Sequence, residues 1–147
     1  MCSTLNPLPL FTLFVMCSFL YSCGNYDEPP LVATNIAIIE PITGKSVSAG
    51  YITLINNTHA SIELTHVDSP DFESIEIHES TVDNGIAKMR QINSLFIMAG
   101  SALNLERGGK HLMLMRHTGS LGTISLNFYS GELLLLSLQT SFTAGTH

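Results

Sequence analysis

From Leu31 onward the chain never sustains a helical period. Short runs of β-branched and apolar residues are instead stopped, again and again, by Pro, Gly, Asn or Asp. Leu31–Glu40 closes at Pro41, and Gly50–Asn56 alternates until Asn56-Asn57. Ser61–Val67 stops at Asp68-Ser69-Pro70. Ser74–His78 comes next, followed by a polar turn at Asp83-Asn84-Gly85. Ile86–Ile92 and Ala102–Leu105 lie either side of Ala99-Gly100-Ser101, and His111–Met115 follows Gly108-Gly109. Thr123–Tyr129 and Glu132–Leu138 are joined by Ser130-Gly131, a hairpin signal. Strands this short, with turns this tight, can bury their apolar sides only against one another. The pattern predicts an all-β sandwich or barrel of about eight short strands.

The first thirty residues do not belong to that pattern. Leu10 to Leu20 is an apolar stretch too short to span a bilayer but suited to the core of a signal peptide. It leads into Leu20-Tyr21-Ser22-Cys23-Gly24, which resembles a bacterial lipobox, where cleavage leaves a lipidated Cys at the new terminus. Residues 1–22 therefore read as a lipoprotein-type signal peptide. Residues 23–30, polar and ending in Pro29-Pro30, read as lipid anchor and tether, and 31–147 as the folded domain. Cys2 and Cys17 fall in the leader and Cys23 would carry lipid, so the mature domain has no thiol. Disulfides and a blue-copper site, which needs a Cys ligand, are both excluded. A formal net charge of −6, with no Lys/Arg cluster, argues against nucleic acid as a partner. No phosphate loop, zinc pattern or nucleophile–base spacing appears, so the chain reads as a non-enzyme.

Four residues carry chemistry through their joint spacing. Ten residues separate His78 from Met89, twenty-one separate Met89 from His111, and Leu112 alone separates His111 from Met113. Taken singly, each has an ordinary explanation: a surface His, or a gap-filling core Met. Together, two imidazoles and two thioethers make a soft, charge-neutral donor set that suits Cu(I) far better than Zn(II), Mg(II) or Ca(II). Strand alternation supports convergence. Ile75 and Ile77 take one face and leave Glu76 and His78 on the other, with His78 at the end of its strand, which suits a ligand on a rim. His111, Met113 and Met115 share a face opposite Leu112 and Leu114.

The motif His-x10-Met-x21-His-x-Met resembles that of the periplasmic Cu(A) chaperone (PCuAC-type) family. The likeness extends over about Leu31 to Phe142 through Gly50-Tyr51, Asn56-Asn57, Ile77-His78-Glu79, Met89-Arg90, Ala99-Gly100 and His111-Leu-Met-Leu-Met115. It implies a cupredoxin-like β-sandwich with His78, Met89, His111 and Met113 as Cu(I) ligands, and Met115 packing beneath the site. It also implies a copper chaperone in the periplasm, held to a membrane of a Gram-negative bacterium by lipid on Cys23. The implied acceptor is cytochrome c oxidase, particularly its Cu(A) centre, with accessory thiol–disulfide copper proteins. Relatives often bear a His- and Met-rich tail for a second copper. Here the chain stops at Thr146-His147, so no second high-affinity site is expected; His117 and His147 read as solvated, with weak Cu(II) binding as the alternative, and His59 and His66 as structural or exposed. The rival readings are a structural or adhesive lipoprotein without metal, and a periplasmic copper storage or resistance protein.

Overall fold

The computed structural model describes residues 28–118 and 122–144, so the expected signal peptide, Cys23 and His147 lie outside the described residues. Eleven strands appear rather than about eight: β1 (Leu31–Ile39), β2 (Val47–Asn56), β3 (Ile62–Leu64), β4 (His66–Asp68), β5 (Phe72–Asp83), β6 (Ile86–Ile92), β7 (Leu95–Ile97), β8 (Ala102–Leu105), β9 (Lys110–His117), β10 (Thr123–Ser130) and β11 (Leu133–Thr143). The extra strands arise at two places. Ser61–Val67 breaks at Thr65, whose amide and hydroxyl both donate to the Tyr129 carbonyl. That clamp sends β3 to pair with β7 and β4 to pair with β10. The three-residue β7 is too short to show a period.

The main sheet runs β4-β10-β11-β1-β2-β9-β5-β6, with β8 alongside the second half of β2. Its two halves meet where the end of β11 lies parallel to the end of β1, at Ile38–Phe142 and Ile39–Thr143. The sheet does not close into a barrel. Both halves feed one core: Leu31, Ile38, Leu54, Leu112, Leu114, Ile124, Leu126 and Phe128 are all fully buried. This is the expected all-β sandwich.

Two details of this frame matter for the site. Asn84 and Gly85 both adopt positive φ (50° and 78°), the geometry of a two-residue hairpin turn, and this fixes β5 against β6. Gly50 lies where β2 crosses β9, opposite Leu112. A Cβ there would come within 3.1 Å of Ile38 Cδ1, Leu112 Cβ and Leu114 Cδ1. Gly50→Ala is expected to cost about 1–3 kcal/mol by overpacking, read from the urea unfolding midpoint. An unchanged midpoint would show that β9 can move away freely.

Candidate metal centre

The outer face of the β2-β9-β5-β6 sheet carries the expected donors. Ile77 and Leu112 are partners on the core side, as are Ile75 and Leu114. The intervening residues therefore point outward: His78 opposite His111, and Glu76 opposite Met113. One strand further, Ser80 pairs with Met89, and on the other flank Ala49 pairs with Met113. Met89, His111 and Met113 line one cleft of about 300 Å3, together with Val47, Ala49, Tyr51, Ser80 and Arg107. His78 does not line this cleft. It joins the group through His111, with ring centres 6.2 Å apart.

The donors differ in exposure. His111 is buried at 6% exposure, whereas Met89 is 55% exposed at the cleft mouth. His111 Nδ1 lies 3.0 Å from the Gly109 carbonyl, which can only accept, so Nδ1 carries the proton and Nε2 keeps its lone pair. Beside the cleft Arg107 sits over the Tyr51 ring at 5.8 Å, placing a cation at the mouth of a site built from neutral donors. No group of three or more His, Cys, Asp or Glu side chains that could hold a metal occurs among the described residues, so a site here depends on thioether sulfur.

Each of three expected donors has a charged neighbour in sequence, and these neighbours pair with one another. Glu79, next to His78, accepts hydrogen bonds from Arg90, next to Met89, and lies 3.1 Å from Lys110, next to His111. The trio ties β6, β5 and β9 together at the register that aligns the donors. Lys110, then Arg90, holds the Glu79 carboxyl below its usual 4.5, against the opposing effect of burial. Arg116 does the same for Glu73. A carboxylate whose pKa is lower folded than unfolded contributes stability that is present above about pH 4.5 and lost as pH falls through the folded value. The apo protein should therefore lose stability as pH is taken from 6 to below 4, and Glu79→Gln should flatten that slope. An equal slope in the variant would remove Glu79 from the account.

Three expectations change, while His59 and His66 are exposed as expected. His78 lies mid-strand rather than at a strand end, because β5 continues through Glu79–Asp83 in pairing with β6; the donors occupy a sheet face rather than a rim. Met115 does not pack beneath the site. It is half-buried on the same outer face, opposite Val47 and Ser74, and stays outside the cleft. His117 is not solvated: its ring packs edge-on against Phe72 and Phe142, with Nε2 buried. His66 is exposed but stacks flat on Tyr129 at 4.6 Å, while His59 is simply exposed. Sequence reasoning put Glu76 on the site face without giving it a role. Its position two residues before His78 was the available signal.

Residues 31–124 match the LpqE-like family, described as "Putative lipoprotein LpqE-like". The chain belongs to this family. Among curated relatives, "Uncharacterized protein RP573" of Rickettsia prowazekii is 36% identical over 75 residues, covering 50% of this chain and 41% of its own. "Putative lipoprotein Lxx21020" of Leifsonia xyli subsp. xyli is 30% identical over 95 residues, covering 60% and 57%. The LpqE-like chain thus spans about half the length of the curated relatives it matches. Two solved structures share its fold. The copper-bound PCuAC domain from PmoF2 superposes with a TM-score of 0.63 at 15% identity, covering 79% of this chain and 94% of that domain. The solution structure of CuI-DR1885 from Deinococcus radiodurans gives 0.60 at 24% identity, covering 82% of each. The fold of this LpqE-like protein is that of the PCuAC domain, as the motif implied.

Proposed function

We propose that this protein is an extracytoplasmic metallochaperone that binds Cu(I) through His78, Met89, His111 and Met113 and delivers it to a membrane-bound acceptor. One observation carries the reading: the sheet register places two imidazoles opposite each other, with two thioethers on the same face, and three of the four side chains line one cleft. Soft, uncharged donors fit Cu(I), and thioethers need no deprotonation. They are also weaker donors than thiolates, so a Cys-containing acceptor can take the ion by ligand exchange. Two solved domains of this fold are named as copper-bound forms, which supports the same cargo here.

The exposed Met89 gives an acceptor a first point of attack, since one ligand can leave without opening the fold. The acceptor we favour is the Cu(A) centre of cytochrome c oxidase, reached directly or through an accessory thiol–disulfide copper protein. Lipid on Cys23 would hold the carrier at the membrane surface and raise its effective concentration near that acceptor. The lipoprotein names of its family and of one relative support that anchor. The cargo leaves unchanged, so the activity is transfer rather than catalysis.

The test is a Cu(I) titration of the full-length protein in detergent against a chromophoric competitor. One equivalent should bind, at least a thousandfold more tightly than Zn(II), or about 4 kcal/mol. Equal zinc affinity in the same buffer would reject the copper reading.

A further inference from the structure

The rings of His78 and His111 are held by different acceptors through different nitrogens. His111 presents Nδ1 to the Gly109 carbonyl at 3.0 Å. His78 presents Nε2 to the Glu76 carboxylate at 2.7 Å, and its Nδ1 is buried with no hydrogen-bond partner among the described residues. We propose that Glu76 is a positioning residue that fixes His78 as its Nε2–H tautomer, so that copper is bound by Nδ1 of His78 and by Nε2 of His111. The assignment rests on the Cu(I) reading above and adds to it the atoms and the residue that selects them.

A carboxylate or carbonyl oxygen can only accept from a neutral ring, so the nitrogen facing it carries the hydrogen and the other carries the lone pair. In the neutral ring of His78 that lone pair is on Nδ1, a buried atom that no group among the described residues satisfies. Orphaned buried acceptors are uncommon in folded proteins, and a metal ion is one of the few things that can occupy one. The ring separation agrees. Two imidazoles binding one ion at about 2 Å per nitrogen have ring centres roughly 5 Å apart at a tetrahedral angle and roughly 6 Å apart in line; these stand at 6.2 Å, so the rings close by about 1 Å on joining a four-ligand site. Glu76 is also opposite Met113 in the register and shares the outer face with His78, to which its carboxylate bonds. Metal-bound imidazoles commonly have such a carboxylate on the second nitrogen, where it orients the ring and raises its basicity.

The experiment uses the full-length protein labelled with 15N, in detergent, with Glu76→Ala and Glu76→Gln. Ring 15N shifts report which nitrogen bears hydrogen in the apo protein and which is displaced by Cu(I). Wild type and Glu76→Gln should show His78 protonated at Nε2, since the amide oxygen accepts the same N–H, while Glu76→Ala should lose that preference. Cu(I) should then perturb Nδ1 of His78 and Nε2 of His111. Affinity should fall ten- to a hundredfold in Glu76→Ala and return to within about threefold in Glu76→Gln. Cu(I) bound through Nε2 of His78, or an unaltered tautomer and affinity in Glu76→Ala, overturns this assignment and leaves the copper reading intact. A wild-type protein that takes up no Cu(I) overturns the copper reading, and the assignment with it.

Discussion

His111→Ala should weaken Cu(I) binding by at least tenfold, about 1.4 kcal/mol, and also destabilise the apo protein by about 1–3 kcal/mol. Both effects follow from its place in the sheet. The ring is nearly inaccessible, and its loss would take away one of the two donors to the Gly109 carbonyl, leaving the Ser80 amide, and open a void beside Met113. Met89→Ala should behave differently. Its side chain is over half exposed, so apo stability should change by less than about 0.5 kcal/mol, while Cu(I) affinity again falls tenfold or more. His78→Ala and Met113→Ala should weaken Cu(I) similarly. Met115→Ala, on the same face but outside the cleft, should leave affinity within about threefold. Competition titrations and urea midpoints on all five variants separate ligation from packing. Affinity losses that merely track stability losses would mean that these residues build the sheet and do not hold the metal.

The contrast between Met89 and His111 shows what the sequence could and could not reveal. Alternation in Ile75–His78 and His111–Met115 identified the outward face, because the isoleucines and leucines between the donors have to enter the core. The Asn84-Gly85 turn was legible because hairpins with positive φ favour these residues. The hairpin near Ser130-Gly131 was legible too, although its turn is Gly131-Glu132, one residue later, with Gly131 at positive φ. The length of β5 was not. Glu-Ser-Thr-Val-Asp is polar on both faces and looks like a loop, but β6 pairs with it along its whole length. That pairing, invisible to any local pattern, brings Met89 beside His78 and moves the donors from a rim to a sheet face. The split at Thr65 was hidden for a related reason: its cause, the Tyr129 carbonyl, is 64 residues away. The environments of Met115 and His117 likewise depend on neighbours from other strands, β2 and β5 for one and β5 and β11 for the other. Glu76 was placed on the right face, but its bond to His78 is a matter of rotamers, which spacing does not encode.

Asn56→Ala should destabilise the fold by about 2–4 kcal/mol without touching the metal site. Asn56 ends β2, is fully buried, and is polar in a region otherwise packed with aliphatic side chains. It is tolerated because its amide is fully used. The two Nδ2 hydrogens are shared among the carbonyls of Ala60, Ile97 and, at the longer 3.2 Å, Met98, and Oδ1 accepts from the amide and hydroxyl of Thr58. One side chain thereby fastens the loop after β2 to the end of β7, two segments that no strand pairing joins at that point. Alanine would leave the buried Ile97 carbonyl with only the long 3.4 Å bond from the Ser61 hydroxyl, and would cost the Ala60 and Met98 carbonyls one donor each. In a domain of this size the loss corresponds to a fall in Tm on the order of 10 °C. The cleft residues of β2 are at its opposite end, Val47 to Tyr51, so Cu(I) affinity should stay within about threefold. Asn56→Asp should be worse than alanine, because it keeps the acceptor but replaces the donated bonds with a buried charge facing carbonyl oxygens. A thermal melt within 2 °C of wild type for the alanine variant, about the shift expected for less than 1 kcal/mol, would mean that water replaces the amide at no cost and that the staple is dispensable.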